Sequence, residues 1–299
     1  MKNILVTGVS GFLGWNIVKI RPKGWNILGI YHKNIPKKTR DSYYKADLNK
    51  VQSLFKLLDK KRIDTIIHLA AVSKLQDCAK DPDYSYRINV VLTALLAEYA
   101  KERGIHFVFI STDQVFDGQK GMYSYEDNPA PLNLYGKQKY EAERRVLNIH
   151  PTACVIRLPL LFGYSPRHNN FLWEWATNLE EGKRVKAFED EYRTPLAVDD
   201  AARGIILLVH HRFSGIWHLG GKERLSRYEM ALQLANTLDY KEKLIKPSLQ
   251  SDLKNTPIRP ADVSLINTKS YTAGFDPKLY QEALQELSPK LKKKIRKYL

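Results

Sequence analysis

The stretch that decides the fold is KNILVTGVSGFLG, which runs from Lys2 to Gly14. Its first half is an apolar run typical of a buried strand, and this run ends at Gly8. Gly11 and Gly14 follow, and an apolar pattern with helical spacing begins among them. A second apolar run at Trp25–Tyr31 predicts another strand. Strand, glycine loop, helix and strand together indicate a β-α-β unit.

The glycine loop is suited to binding a dinucleotide. Glycine lets backbone N–H groups approach a pyrophosphate closely, and the N-terminus of the following helix favours its negative charge. A tight turn without a ligand would use the same residues. A glycine pattern is weak evidence by itself, but one placed between the first strand and a helix is strong. The sequence therefore predicts a dinucleotide cofactor.

The end of the second strand bears on which cofactor is bound. An enzyme that binds NAD usually has an Asp or Glu there for the ribose hydroxyls. Here the residues are Tyr31, His32 and Lys33, and the first acidic residue after them is Asp41. Basic groups suit the 2′-phosphate of NADP better, although Lys33 could also be a solvated loop residue. We therefore expect NADP(H), while NAD is possible.

Composition argues against several classes of protein. The chain has 299 residues, of which 43% are hydrophobic and 27% charged, as in globular proteins. No run approaches the ~18 apolar residues that a membrane span needs, and the opening residues do not resemble a signal peptide. Cys78 and Cys154 lack metal-type spacing and fit a reducing compartment. We expect a cytoplasmic protein with no membrane partner.

The net charge of +16 has two interpretations. Such a surplus suits a nucleic acid, and it equally suits a phosphorylated substrate. Because much of it is dispersed along the chain, we favour a solvated lysine-rich surface and expect no nucleic-acid partner. His210, His211 and His218 have no carboxylate or cysteine partners at ligand spacing, so we expect no metal site.

Strands and helices continue to alternate through the first half of the chain. Asp64–Ala71 reads as a strand, in which His68 is more simply a core histidine than a catalyst. A long helix is predicted over Tyr84–Arg103. The next strand, Ile105–Ser111, delivers Thr112 to its carboxyl end, where open parallel sheets bind ligands.

We therefore predict an α/β fold, with a Rossmann-like doubly wound parallel sheet and a smaller C-terminal substrate-binding α/β portion. The cofactor-binding domain is expected over residues 1–158 and a mainly substrate-binding domain over 159–299. The segment 199–220 is a candidate to return to the first domain. At the end of the chain, Ser288–Leu299 is predicted to be a short basic helix that docks on the body.

Tyr135 and Lys139 stand four residues apart. Residues at this spacing share one face of a helix, so the ammonium group can lie close to the phenol. A nearby positive charge favours phenolate and lowers the pKa of the tyrosine from about 10. A phenol altered in this way can exchange a proton near neutral pH. By itself the pair is as easily a surface contact, and the preceding dinucleotide site gives it weight.

Several motifs, taken in order, resemble the extended short-chain dehydrogenase/reductase superfamily. They are Gly8-x-x-Gly11-x-x-Gly14, His68-Leu-Ala-Ala71, Ser111-Thr-Asp-x-Val-Phe-Asp-Gly118 and Pro131-Leu-Asn-x-Tyr-Gly-Lys-x-Lys139. Within this superfamily the chain is most similar to the dTDP-4-dehydrorhamnose reductase family. That family also has the Asn-Asn-Phe found here at 169–171 and the Arg-Pro found at 259–260. The resemblance covers nearly the whole chain.

The resemblance implies that NADPH reduces the C4 ketone of a nucleotide-linked 6-deoxy sugar, as in the biosynthesis of dTDP-rhamnose and other polysaccharide precursors. Tyr135 would be the acid/base, Lys139 would lower its pKa and hold the nicotinamide ribose, and Thr112 would hydrogen-bond the reacting oxygen. The residues implied to bind the cofactor are Gly8, Ser10, Gly11, Phe12, Leu13, Gly14, His32, Lys33, Asp47, Leu48, Leu69, Ala70, Ala71, Tyr135 and Lys139. Those implied to bind the nucleotide-diphosphate sugar are Thr112, Asp113, Gln114, Asn170, Arg193 and Arg259. A homodimer is possible.

Three departures from the family pattern concern the sugar. Gln114 stands where the family usually has a tyrosine, the segment 157–163 lacks the family's tryptophan, and Glu191–Leu196 replaces Gln-x-Gly-x-Pro-Thr. This last segment is more similar to nucleotide-sugar epimerases and dehydratases, in which an arginine like Arg193 meets the diphosphate. Guanidinium groups pair with phosphate bidentately, so Arg193 and Arg259 are the arginines we expect at the diphosphate.

Two alternative functions stay open. An epimerase or dehydratase would recycle a tightly held NAD and would need no external hydride. A cofactor-binding regulatory subunit like that of methionine adenosyltransferase is also similar to this family. The presence of Thr112, Tyr135 and Lys139 favours chemistry but is compatible with a regulatory role.

The residues at the end of the second strand lead to a first prediction. The purified protein should bind NADPH more tightly than NADH, because basic groups there meet the 2′-phosphate. Titration of the intrinsic fluorescence with each nucleotide measures the two dissociation constants. Tighter binding of NADH would contradict the assignment of His32 and Lys33.

Overall fold

The structure is a computed structural model that describes residues 1–32, 42–47, 51–166, 170–254 and 256–298. Two predicted cofactor residues, Lys33 and Leu48, lie outside the described residues. The strands are β1 (Lys2–Thr7), β2 (Trp25–Tyr31), β3 (Ser42–Lys45), β4 (Thr65–His68), β5 (His106–Thr112), β6 (Cys154–Leu158), β7 (Leu161–Phe162), β8 (Val185–Phe188), β9 (Tyr192–Arg193), β10 (Leu196–Ala197), β11 (Gly215–His218), β12 (Leu225–Ser226) and β13 (Ile245–Ser248). The α-helices are α1 (Phe12–Ile20), α2 (Val51–Leu58), α3 (Leu75–Lys80), α4 (Pro82–Tyr86), α5 (Leu92–Glu102), α6 (Leu134–Ile149), α7 (Phe171–Glu180), α8 (Val198–His210), α9 (Arg227–Thr237), α10 (Thr268–Thr272) and α11 (Tyr280–Tyr298).

Seven strands form a parallel central sheet in the order β11-β6-β5-β4-β1-β2-β3. The chain winds outward from β1 in both directions, so the connecting helices cover both faces. Ile17 of α1 and Ile205 of α8 pack on one face, while Leu54 of α2 and Leu96 of α5 pack on the other. The predicted Rossmann-like doubly wound sheet is confirmed. Its edge strand β11 comes from the segment 199–220 and pairs with β6.

A smaller core lies in the second half of the chain. Helices α7, α9 and α11 bury Trp175, Met230 and Leu284 against one another, and the short strands β8 and β13 pair beside them. Helix α11 begins eight residues before the predicted Ser288, and it continues through Pro289. A proline lacks the N–H that would bond the carbonyl four residues earlier. Here the Ser288 hydroxyl donates to that carbonyl, on Gln285, at 3.1 Å.

The predicted long helix over 84–103 is interrupted. Residues Arg87–Val91 form a π-helical turn between α4 and α5. The inserted turn directs Asn89 inward, where its Oδ1 accepts from the Val72 N–H at 2.9 Å and its Nδ2 donates to the Val72 carbonyl at 3.0 Å. Turns of this kind occur often at functional sites. This one fixes the segment that follows β4.

A buried ion pair joins α6 to the sheet. Arg157 on β6 donates to Glu143 through Nη2 at 2.8 Å and Nε at 3.0 Å, and both side chains are only 2% exposed. The guanidinium group also lies 5.0 Å from the centre of the Phe116 ring. Two forked hydrogen bonds set the position of α6 on the sheet, and α6 carries Tyr135 and Lys139.

This ion pair leads to a stability prediction. Glu143→Gln removes the negative partner and leaves Arg157 buried without a counter-charge, so it should lower the free energy of unfolding by about 3–5 kcal/mol. The matched control is Glu102→Gln, which removes one of two exposed partners of Arg103 in the described residues, the other being Asp59, and should cost below about 0.5 kcal/mol. Urea denaturation followed by circular dichroism measures both. Similar losses in the two variants would contradict a structural role for the buried pair.

Candidate active site

A cavity of about 420 Å³ opens at the carboxyl ends of β1, β2 and β4, beside the start of α1. Gly8 begins the turn after β1 with a φ of +69°, a conformation that favours glycine. A Cβ on Gly8 would lie 3.0 Å from the Ala70 backbone nitrogen, and one on Gly14 would lie 2.5 Å from the Gly8 carbonyl oxygen. Both positions therefore need glycine for the chain segments to approach this closely.

The start of α1 faces this cavity without a negative charge of its own. Gly11 is the N-cap, no side chain of the described residues caps the first N–H groups, and the first turn contains no acidic residue. Gly11, Phe12 and Leu13 all line the cavity. Exposed N–H groups and the positive end of the helix dipole fit the pyrophosphate of a dinucleotide.

Most of the residues predicted to bind the cofactor line this one cavity. They are Gly8, Ser10, Gly11, Phe12, Leu13, Gly14, His32, Asp47, Leu69, Ala70 and Ala71. Where β2 ends, the described lining residues are Tyr31 and His32. His68, by contrast, lies within the sheet, where Thr7 contacts its Nδ1 at 2.7 Å and Thr93 contacts its Nε2 at 3.0 Å. Burial lowers the pKa of His68 to about 3, so it is the core histidine that was predicted.

A second cavity of about 320 Å³ adjoins the first, and Ser73 and Leu161 line both. It brings together residues from distant parts of the chain: Thr112, Asp113, Gln114, Tyr135, Glu191, Arg193 and Arg259. Five of the six residues predicted to bind the sugar nucleotide are among them. The sixth, Asn170, is not among the lining residues; its side chain caps α7 by accepting from the Trp173 N–H at 3.3 Å.

Tyr135 and Lys139 lie on the face of α6 that meets the sheet, but the lysine is not directed at the phenol. Its Nζ donates to the Ile110 carbonyl at 2.6 Å and lies 3.9 Å from the centre of the Phe109 ring. Burial lowers the pKa of Lys139 to about 7, and Glu143 opposes that shift. Burial and the nearby Asp113 carboxylate raise the pKa of Tyr135. The predicted lowering of the tyrosine pKa is therefore wrong for the protein's own groups.

Thr112 connects the phenol to a buried acid. Its hydroxyl lies beside the Tyr135 phenol and donates to Asp113 Oδ1 at 3.0 Å. Burial raises the pKa of Asp113 to about 6, while Arg193 and the threonine hydrogen bond oppose the shift. Phenol, hydroxyl and carboxyl groups therefore form one polar series along the wall of the second cavity.

Arg193 is buried, and its guanidinium group is already engaged. Its Nη1 donates to the carbonyls of Tyr192 at 2.6 Å and Pro260 at 3.2 Å. Its Nη2 donates to Pro260 and lies 3.4 Å from Glu191, and its Nε lies 3.7 Å from Asp113. This group ties β9 to the loop that carries Arg259.

Arg259 and Gln114 complete the wall. The Arg259 side chain is 34% exposed, and its Nη1 lies 3.7 Å from Glu191. Gln114 accepts through Oε1 from the Asn133 amide at 2.9 Å. Asn133 in turn caps α6 by accepting from the Gly136 N–H at 2.8 Å. The N-terminal cap of the helix that carries Tyr135 is thereby joined to the polar wall of the second cavity.

The sequence prediction missed several lining residues. Ser73 follows β4, and the rule that ligands bind beyond the carboxyl ends of strands could have indicated it. Glu191 stands two residues before Arg193, but an acid beside an arginine reads as an ordinary ion pair.

Across the described ranges, His, Cys, Asp and Glu form no cluster of three that could hold a metal ion. No helix of the described chain is long and apolar enough to cross a membrane.

Comparison with known proteins matches this chain to one protein family and to proteins named as reductases. The family model of the RmlD substrate binding domain matches residues 1–293. A probable low-salt glycan biosynthesis reductase, Agl14 of Haloferax volcanii, is 29% identical over 261 residues, covering 85% of this chain and 86% of that protein. The beta subunit of methionine adenosyltransferase 2 from Xenopus tropicalis is 28% identical over 282 residues, covering 92% and 83%. A crystal structure of a hypothetical dTDP-4-dehydrorhamnose reductase from Sulfolobus tokodaii is 31% identical, with a TM-score of 0.80 and coverage of 91% and 94%.

The glycine contacts lead to a binding prediction. Gly14→Ala places a Cβ against the Gly8 carbonyl and should displace the loop at a cost of about 1–3 kcal/mol, which weakens NADPH binding. Gly24→Ala is the matched control, because a Cβ there meets no atom of the described residues within 4 Å. Fluorescence titration with NADPH measures both affinities. Unchanged binding by the Gly14 variant would contradict the assignment of this loop to the pyrophosphate.

Proposed function

The chain belongs to the RmlD substrate binding domain family and is an NAD(P)-dependent oxidoreductase, and we propose that it uses NADPH to reduce the C4 ketone of a nucleotide-linked 6-deoxy sugar. The relatives named as reductases, including the hypothetical dTDP-4-dehydrorhamnose reductase, support this choice. Such a reaction belongs to the synthesis of deoxysugar precursors for polysaccharides.

One observation carries the proposal. The cavity with the glycine cradle and the cavity with the phenol meet at Ser73 and Leu161. A dinucleotide whose pyrophosphate lies at Gly11 can therefore extend its nicotinamide toward Tyr135. When bound, NADPH supplies a hydride to the carbonyl carbon, and the oxygen gains negative charge. A proton donor is needed beside that oxygen.

Tyr135 is the residue we assign to that proton. Burial and Asp113 raise its pKa, so the phenol holds its proton at neutral pH until a more basic oxygen forms beside it. Thr112 lies next to it and can hydrogen-bond the same oxygen. Lys139 is proposed to hold the nicotinamide ribose, because its ammonium group donates to the carbonyl of Ile110, and Ile110 lines the first cavity.

The diphosphate of the substrate is proposed to meet Arg259. This side chain is partly exposed and has one distant ion partner in the described part of the chain, whereas Arg193 already bonds backbone carbonyls. We therefore propose that Arg193 holds the backbone of the cavity wall in place and that Arg259 binds the phosphate. A cytoplasmic location and a homodimer stay predictions from the sequence.

A second candidate function is a regulatory subunit that binds the cofactor. The similarity to the methionine adenosyltransferase beta subunit over 92% of this chain favours it. Copurification with a methionine adenosyltransferase, together with no turnover of any keto-sugar, would support that function. An epimerase or dehydratase would instead retain NAD through purification and convert its substrate without added NADPH.

The assignment of Tyr135 leads to a kinetic prediction. The wild-type protein mixed with dTDP-4-dehydrorhamnose should consume NADPH, measured as loss of its absorbance. Tyr135→Phe should lower kcat by about 10²–10⁴-fold, since the proton donor is lost, while NADPH binding is retained. Lys139→Met should weaken both turnover and NADPH binding.

Tyr140→Phe is the control, since this neighbouring tyrosine of α6 lines neither cavity. It should keep wild-type turnover. Full activity in Tyr135→Phe would contradict the acid assignment, and a wild-type protein that consumes no NADPH with this sugar would count against the substrate.

A further inference from the structure

Unsatisfied hydrogen-bonding atoms gather in the second cavity. Of the ten buried side-chain N and O atoms without a hydrogen-bond partner among the described residues, three are Asp113 Oδ2, Glu191 Oε2 and Arg259 Nε. All three residues line this cavity. Buried polar atoms are nearly always hydrogen-bonded in folded proteins, so unsatisfied atoms that share a cavity point to a ligand that satisfies them.

Glu191 is the most informative of the three. It is 4% exposed, and its Oε1 lies 3.4 Å from Arg193 Nη2. Its Oε2 lies 3.7 Å from Arg259 Nη1, beyond hydrogen-bond distance. The backbone is held as well, because the Arg227 N–H donates to the Glu191 carbonyl at 2.9 Å. The unsatisfied oxygen is therefore fixed in place at the cavity wall.

The chemistry of this oxygen restricts what it can bind. A carboxylate oxygen only accepts hydrogen bonds, so its partner must be a donor. A phosphate oxygen would be repelled by it. An ammonium group is disfavoured because Arg193, Arg227 and Arg259 surround the same carboxylate. A neutral hydroxyl group satisfies the oxygen without adding charge.

We propose that Glu191 is a specificity-determining residue, which accepts a hydrogen bond from a ring hydroxyl of the sugar close to the carbonyl that is reduced. This inference rests on the proposed reduction of a nucleotide-linked keto-sugar. Thr112 and Tyr135, which the proposed function assigns to the carbonyl oxygen, line the same cavity as Glu191. The hydroxyls within reach of Glu191 are therefore those of the same ring.

Loss of the hydroxyl should be costly, because it leaves a buried charged acceptor unsatisfied. Sites that hydrogen-bond a substrate hydroxyl reject the analogue that lacks it far more strongly than apolar pockets reject a missing methylene. For one charge-assisted hydrogen bond we expect a penalty of about 10- to 100-fold in kcat/KM. Because the bond forms with bound substrate, most of the penalty should appear in KM.

The experiment uses the full chain with NADPH and three probes. These are dTDP-4-dehydrorhamnose, the sugar used in the kinetic prediction above, and its 2-deoxy and 3-deoxy analogues. Wild type, Glu191→Gln and Glu191→Ala are compared by initial rates, and NADPH titration verifies that each variant is folded. The two variants remove the same charge, but only the alanine removes the hydrogen-bonding group.

The wild type should discriminate against one deoxy analogue by about 10- to 100-fold in kcat/KM. Glu191→Gln should retain a smaller penalty, since a neutral amide forms a weaker hydrogen bond. Glu191→Ala should treat the three sugars alike within about threefold, because nothing is left unsatisfied. Equal use of the three sugars by wild type, or an undiminished penalty in Glu191→Ala, would overturn the inference.

Failure of the proposed function would give a result different from failure of the Glu191 inference. In that case the wild type would consume NADPH with none of the three sugars. Calorimetric binding of the same sugars to wild type and Glu191→Ala would then decide the role of Glu191. Binding that depends on one hydroxyl only in the wild type supports it, and binding independent of every hydroxyl overturns it.

Discussion

The candidate site depends on the way α6 is held against the sheet. Asn133 caps its first turn, Lys139 donates to the Ile110 carbonyl in its middle, and Glu143 pairs with Arg157 one turn later. These contacts lie at successive points along the helix. They connect α6 to β5 and β6, so the position of Tyr135 relative to both cavities is set by the sheet and not by a loop.

Burial then determines the protonation of the groups that α6 presents. Removal from water disfavours the charged form of every group, which raises the pKa values of Tyr135 and Asp113 and lowers that of Lys139. A phenol with a raised pKa keeps its proton at neutral pH and can donate it to a more basic oxygen. This property suits a reductase that forms an alcohol. Neighbouring charges alter these values, but burial is the largest cause in each case.

Two arginines in the wall of the second cavity have different contacts, which a sequence motif cannot distinguish. Arg193 and Arg259 each stand close to a proline in the sequence, and both were expected at the diphosphate. The Arg193 guanidinium group donates to backbone carbonyls, whereas the Arg259 side chain is partly exposed. Glu191 lies between them, and its proximity to both guanidinium groups explains how a buried carboxylate is tolerated next to Asp113.

The sequence by itself determined the β-α-β unit, the doubly wound sheet and the glycine cradle, because these follow from local periodicity and from the steric needs of glycine. The pair at Tyr135 and Lys139 was equally visible, since helical spacing is a local property. Only the tertiary structure decided the direction of the pKa shifts, the π-helical turn at Asn89 and the engagement of Arg193. Each of these depends on burial or on a partner distant in the chain, and neither is encoded in the spacing of neighbouring residues.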